Sequence, residues 1–322
     1  MDDAIDEPQF KFNRGTMKLS PELPKSLDDH DGEISSWTST PNETNGTNGT
    51  HSSSLNETTN SDDHNDLTCL RFEIVSTKTV QDDNAKKYVT YVMRVRLDGS
   101  EEDVHDTRIE RRYTDFLELF SQLKQEQPAI MAQISFPRKL LVGNFSQESI
   151  ACRSTSFEYL LRFVAVHDKL KLSPTTVAFL QQKEMTEVRH HIANQHHSLA
   201  IPILENTFRL LNKFYTDRHP AVLRALCLLV ACCHAARSPD TERYAGIALR
   251  RFQGVSDFDL LQYYVPLLQL CATLDWTRAH KEHNYGTIIK ERLADMKRRG
   301  MKVDGCLPLL ELLLQHQEPK RD

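Results

Sequence analysis

Ile109-Glu110-Arg111-Arg112-Tyr113-Thr114-Asp115-Phe116 is the stretch on which the reading of this chain turns, because the hydrophobic period changes inside it. Upstream, Val104 to Tyr113 reads as a strand. Downstream, Phe116, Leu119, Phe120 and Leu123 fall at i, i+3, i+4 and i+7, which predicts a helix with one apolar face, capped by Thr114 or Asp115 and ending before Pro128. Two guanidinium groups and an aromatic ring therefore stand where a strand hands over to a helix. Arginine offers a planar fork that can hold phosphate oxygens bidentately. Side chains alternate along a strand, so only one of Arg111 and Arg112 faces a given pocket. A bare Arg-Arg pair is more often a solvated strand end, and the neighbours have to decide.

Towards the N-terminus, Leu70-Arg71-Phe72-Glu73-Ile74-Val75 alternates apolar and polar, and Val89, Tyr91, Met93, Val95 and Leu97 recur at period two. With a turn at Asp98-Gly99-Ser100, these predict an antiparallel meander of three strands. Residues 1–66 are rich in Asp, Ser, Thr, Asn and Pro, with too few apolar side chains to offset ordering entropy, and are expected to be a disordered, low-complexity tail. Its Asn-x-Thr triplets at Asn42, Asn45, Asn48 and Asn56 matter as glycosylation acceptors only in a secreted protein.

Towards the C-terminus, Pro128 to Phe145 shows no sustained period and is expected to be a long loop, carrying Ile130, Met131, Ile134 and Phe136 and leading into Pro137-Arg138-Lys139. Helical spacing returns with Phe157, Leu160, Leu161 and Val164. Ser173-Pro174 then opens a short helix, and the α+β region is expected to end near Gln182. From residue 183 to about 318 the pattern is helical throughout, with some six helices; Pro266 is expected to kink or split one of them. Their pairing has the spacing of tetratricopeptide-type repeats without most of the signature residues, so a stack of helical pairs and an irregular bundle both fit.

Composition sets further bounds. The chain has 322 residues, 39% of them hydrophobic, enough for two domains and a tail. No run of eighteen apolar residues occurs, and the start lacks the basic-then-apolar pattern of a signal peptide, which predicts a cytoplasmic chain. Seven cysteines, without CxxC spacing, predict reduced thiols. A net charge of −5 speaks against a general nucleic-acid partner. His190, His191, His196 and His197 follow no zinc spacing, so neither a metal nor a cofactor is expected. Lys297, Arg298, Arg299 and Lys302 read as the cationic end of a helix before Gly300, with a second contact to acidic membrane as the alternative. There is no phosphate-cradling Gly-rich loop, GxSxG elbow or HExxH, and Asp115-Phe116 lacks the glycine of a kinase DFG, so an enzyme is not expected.

Arg-Arg-Tyr-Thr-Asp-Phe closely resembles the signature of phox-homology (PX) domains, in which an arginine, a tyrosine and, three residues on, a phenylalanine end the third strand. The resemblance covers residues 67–182 and implies a three-stranded meander followed by helices. In family members that bind phosphatidylinositol 3-phosphate it implies that Arg112 grips the 3-phosphate, Tyr113 lies under the inositol ring and Phe116 is core. Phe136-Pro137-Arg138-Lys139 matches the element whose lysine contacts the 1-phosphate, here Lys139. The later arginine that binds ring hydroxyls is matched by Arg153. The loop has only Pro128 and Pro137 in place of the usual PxxP stretch, and Ile130, Met131 and Ile134 are its candidate membrane-inserting residues.

The segment from Glu184 to Arg189 and the helices after it resemble the PX-associated B region of a small subgroup of sorting nexins, a tetratricopeptide-like protein-interaction module. Together these resemblances imply a peripheral adaptor on the cytoplasmic side of early endosomes. It would bind phosphatidylinositol 3-phosphate through one module and a protein partner or cargo tail through a second, separable one beginning near residue 184. Two alternatives stay open: a scaffold whose PX domain binds no lipid, and a preference for another phosphoinositide, such as a bisphosphate at the plasma membrane.

Overall fold

The computed structural model describes residues 70–81, 87–97, 106–140, 142–252, 258–276 and 285–315. The expectations for the tail of residues 1–66 and for the turn at Asp98-Gly99-Ser100 lie outside them. Strands β1 (Leu70–Gln81), β2 (Lys87–Leu97) and β3 (Thr107–Arg112) form one antiparallel sheet in the order β1-β2-β3. Period two fixes the face: Val89, Tyr91, Met93 and Val95 of β2 join Phe72 and Ile109 in the core. On the opposite face Glu73 gathers Arg71, Arg94 and Arg96 at 2.6–2.9 Å.

Helix α1 (Tyr113–Glu126) follows β3 without a loop and buries Phe116, Leu119 and Leu123. Phe116 is fully buried and its ring stacks on Phe157 at 3.9 Å and 3°, as expected of a core residue. A single helical turn, α2 (Pro128–Met131), is next, then an irregular segment, then α3 (Gln147–Val166) with Ser146 as its cap, and the short α4 (Asp168–Lys171).

Ser173-Pro174 does open a helix, with the serine hydroxyl accepting from the Thr175 N–H at 3.0 Å. That helix is not short: α5 runs unbroken over Pro174–Ala193. The boundary expected at 182/183 therefore falls within a continuous helix. Its second half buries Met185, Val188 and Ile192. After a turn at Gln195, in the left-handed region at φ 60°, come α6 (His197–Phe214), α7 (Pro220–Ala235), α8 (Thr241–Arg251), α9 (Phe258–Ala272), α10 (Tyr285–Arg298) and α11 (Leu309–Gln315). Helix α7 is buried on every side from Val222 to Cys233 apart from Arg224, as an apolar helix must be at the centre of a bundle. Pro266 neither splits nor ends α9, which runs continuously through it. At the end of α10, Arg298 and Arg299 pair with Asp295, Lys297 pairs with Asp304, and Gly300 takes φ +80°: these are the contacts of a cationic helix terminus.

Contacts cross between the sheet and the helical region. Arg111, 2% exposed, forks onto Glu184 of α5 through two bonds of 2.7 and 2.8 Å and donates to the Phe179 carbonyl at 2.8 Å. The amide of Asn206 on α6 bonds both main-chain groups of Arg108 at 3.1 and 2.8 Å, pairing the outer edge of β3 as a neighbouring strand would. Buried Lys213 donates to the Val95 carbonyl at 3.1 Å, and Phe214 meets Phe72 edge-on at 6.1 Å. These contacts satisfy polar groups that a cut at residue 184 would leave buried or exposed without partners.

Candidate functional site

The alternation along β3 sends its two arginines opposite ways. Arg111, opposite Tyr91, points into the interior and is structural. Arg112, opposite Thr90, is exposed. Arg112 also caps α1: its backbone N–H donates to Asp115 Oδ2 at 2.7 Å, the carboxylate half of a capping box. Arginine has no acceptor to return the other half. The Arg112 guanidinium lies over the Tyr88 ring, its central carbon 3.6 Å from the ring centroid. No described residue takes a hydrogen bond or ion pair from it, so its N–H edges are free to meet a ligand. The positive end of the α1 dipole falls at the same place and favours an anion there.

Tyr113, the first residue of α1, reaches across to the next wall. Its hydroxyl donates to the Pro137 carbonyl at 2.8 Å, and its ring packs against Phe136. Burial raises its pKa, partly opposed by the nearby Arg153, so the phenol stays neutral and keeps that bond. Arg153 on α3 stands over the Tyr113 ring, 4.6 Å from guanidinium carbon to centroid, and is 5% exposed. Its bonds go to Asn144, 3.3 Å to the carbonyl and 2.5 Å to the side-chain oxygen, while Asn144 closes the loop by bonding the main chain of Leu140. Arg153 thus supports the segment that carries Lys139. Lys139 and Arg138 are exposed, and neither bonds a described residue. A shallow groove lined by Tyr113, Leu117, Phe120, Phe136, Pro137 and Arg138 opens alongside.

Tyr113 is therefore set against a wall at Phe136 and Pro137, with Arg153 over its ring, while Arg112 beside it lies over Tyr88. What differs from expectation is the apolar rim. Met131 is fully buried, Ile134 is 8% exposed, and Ile130 packs partly buried against the core. Pro128 starts a helical turn, and that turn folds Met131 and Ile134 inward and leaves Ile130 half-buried. Among the described residues of this loop, the exposed apolar ones are Leu140 at 46%, Val142 at 86% and Phe145 at 49%. The signal for them was present: Leu140-Leu141-Val142 is an apolar run of no helical or strand period directly after Pro137-Arg138-Lys139. Gly143, at φ +84°, turns the chain behind it.

Elsewhere, among the described residues, no group of three or more His, Cys, Asp or Glu is arranged to hold a metal. No described helix is long and apolar enough to cross a membrane. Burial pushes Cys232 and Cys233 up to about 12, so both stay protonated and unreactive.

Residues 100–183 match the PX domain family model. Sorting nexin-21 of Homo sapiens is 30% identical over 208 residues, which cover 64% of this chain and 55% of that protein. Sorting nexin-20 of Bos taurus is 28% identical over 205 residues, 64% of this chain and 64% of its own length. The vacuolar protein sorting-associated protein vps5 of Schizosaccharomyces pombe is 26% identical over 176 residues, 52% of this chain and 30% of that protein. The chain thus spans between about half and just under two thirds of the length of the sorting nexins it matches. Residues 100–183 thus match a PX domain, a helical region follows it, and the chain is similar to sorting nexins.

Proposed function

We propose that this protein is a phosphoinositide-binding peripheral membrane adaptor, and that its ligand is phosphatidylinositol 3-phosphate on the cytoplasmic face of early endosomes. The observation that carries the reading is Arg112: an exposed guanidinium at a helix N-terminus, with every N–H edge free of described acceptors and no ion pair to a described carboxylate. In this reading Arg112 binds the 3-phosphate and Lys139 the 1-phosphate. Tyr113 forms the flank of the inositol ring, and Arg153 holds the loop through Asn144 and offers its remaining N–H donors to ring hydroxyls. Leu140, Val142 and Phe145, in place of Ile130, Met131 and Ile134, enter the interface.

Each charge-assisted hydrogen bond to a phosphate contributes on the order of 1.5–3 kcal/mol, and burial of exposed apolar side chains adds to it. The helical region binds a protein partner, and two weak attachments to one surface reinforce each other through effective concentration. Sedimentation of the full chain with vesicles, each containing one phosphoinositide, tests this. Binding to the 3-phosphate lipid above the others, lost in Arg112→Ala while the protein still melts cooperatively within about 4 °C of wild type, is the expected result. Equal binding by Arg112→Ala would sink the pocket assignment, and preference for a bisphosphate would replace the lipid while keeping the pocket.

A further inference from the structure

We infer that Tyr88 is a positioning residue for phosphate binding at Arg112, an inference that rests on the headgroup reading above. The strand register creates the arrangement. Thr90 of β2 stands opposite Arg112, and β3 ends there, since Tyr113 already belongs to α1. Strand β2 extends further, to Lys87, so Tyr88 has no β3 residue across from it. Tyr88 and Thr90, two apart on a strand, project from the same face as Arg112. The space that the next β3 side chain would fill is filled by the Arg112 guanidinium itself, lying over the Tyr88 ring at 3.6 Å.

The choice of an aromatic partner has a chemical consequence. A carboxylate would hold the guanidinium by its N–H edges, the same edges a phosphate needs, and would cancel its charge. A ring holds it by its face. Contact through the ring face leaves the five N–H donors without a described acceptor, and the positive charge remains available. With the backbone N–H fixed by Asp115 and the far end fixed by Tyr88, the fork is oriented before any ligand arrives. The ordering that binding would otherwise require is thereby reduced.

The experiment uses the full chain and two readouts. The first needs no ligand: the ¹⁵N order parameter of the Arg112 side-chain Nε–H. It is expected near the rigid range, roughly 0.8, in the wild type and in Tyr88→Phe, and below about 0.6 in Tyr88→Leu. The second is affinity for soluble inositol 1,3-bisphosphate. Tyr88→Phe should bind within about twofold of wild type, and Tyr88→Leu about threefold to tenfold more weakly. Tyr88→Thr, which keeps a strand-forming residue, carries the same comparison if the leucine variant melts early. A mobile Arg112 in the wild type, or wild-type affinity in both ring-less variants while Arg112→Gln no longer binds, overturns the role of Tyr88 and leaves the headgroup reading standing. Undiminished binding by Arg112→Gln overturns both.

Discussion

Glu184→Ala removes a carboxylate from a place where its partner cannot reach water. The side chains of Arg111 and Glu184 are 3% and 13% exposed, and the fork between them is two bonds of 2.7 and 2.8 Å. Arg111 keeps its bonds to the Phe179 and Glu110 carbonyls, but its charge is left without a counterion. Breaking a buried pair from one side typically costs about 3–5 kcal/mol, and the retained carbonyl bonds place this case at the lower end, about 3 kcal/mol. For a folded region of this size each kcal/mol moves the melting midpoint by about 2–4 °C, so a fall of about 6–12 °C is expected by calorimetry. Replacing both partners, as in Arg111→Met with Glu184→Leu, should recover much of that loss, because no charge is then stranded. A Glu184→Ala midpoint within about 2 °C of wild type would refute the reasoning that this pair joins β3 to α5.

Three further outcomes follow from the same contacts. A chain ending at residue 183 lacks Glu184, the buried half of α5, and the Asn206 and Lys213 contacts, so it should show no cooperative melt near that of the full chain; an unchanged midpoint would restore the picture of two separable modules. Val142→Asp, at an 86% exposed position, should leave the melt alone and weaken vesicle binding about tenfold, from ~1.5 kcal/mol of lost side-chain transfer, while binding of soluble headgroup is unaffected. His219 accepts the Ala221 N–H at the start of α7, and burial, with Arg224 and Lys171 adding to it, lowers its pKa below the usual 6.5. The unfolded chain therefore takes up the proton first, and stability falls as pH drops below about 6.5. His219→Asn, which keeps a capping acceptor and does not titrate, should lose that part of the pH dependence of the melt.

The residues explain what could be read from sequence and what could not. Period two in Val89, Tyr91, Met93 and Val95 and helical spacing in Phe116, Leu119 and Leu123 were reliable because each marks a single buried face, and all seven are in the core. The opposed directions of Arg111 and Arg112 follow from strand geometry alone. The continuity of α5 was hidden because Lys183-Glu184 looks like the polar end of a helix. Glu184 is largely buried only because Arg111, 73 residues earlier, meets it, and a period carries no information about such a partner. The loop was ambiguous for a related reason. Ile130, Met131 and Ile134 on one side and Leu140, Val142 and Phe145 on the other are equally apolar, and only the turn begun at Pro128 decides which set folds inward. Arg153 was found by resemblance, but its attachment to Asn144 depends on a loop conformation that spacing does not encode.

The most direct measurement of the central claim is a titration of the full chain with a soluble short-chain phosphatidylinositol 3-phosphate, followed at the Arg112 side-chain Nε–H by NMR. The account predicts a saturable shift of that resonance in the wild type. It also predicts loss of binding in Arg112→Gln, whose melt falls by no more than about 4 °C, because the lost contact with the Tyr88 ring contributes about 0.5–1 kcal/mol. Saturable binding that leaves the Arg112 resonance unmoved, or that persists in Arg112→Gln, would contradict it.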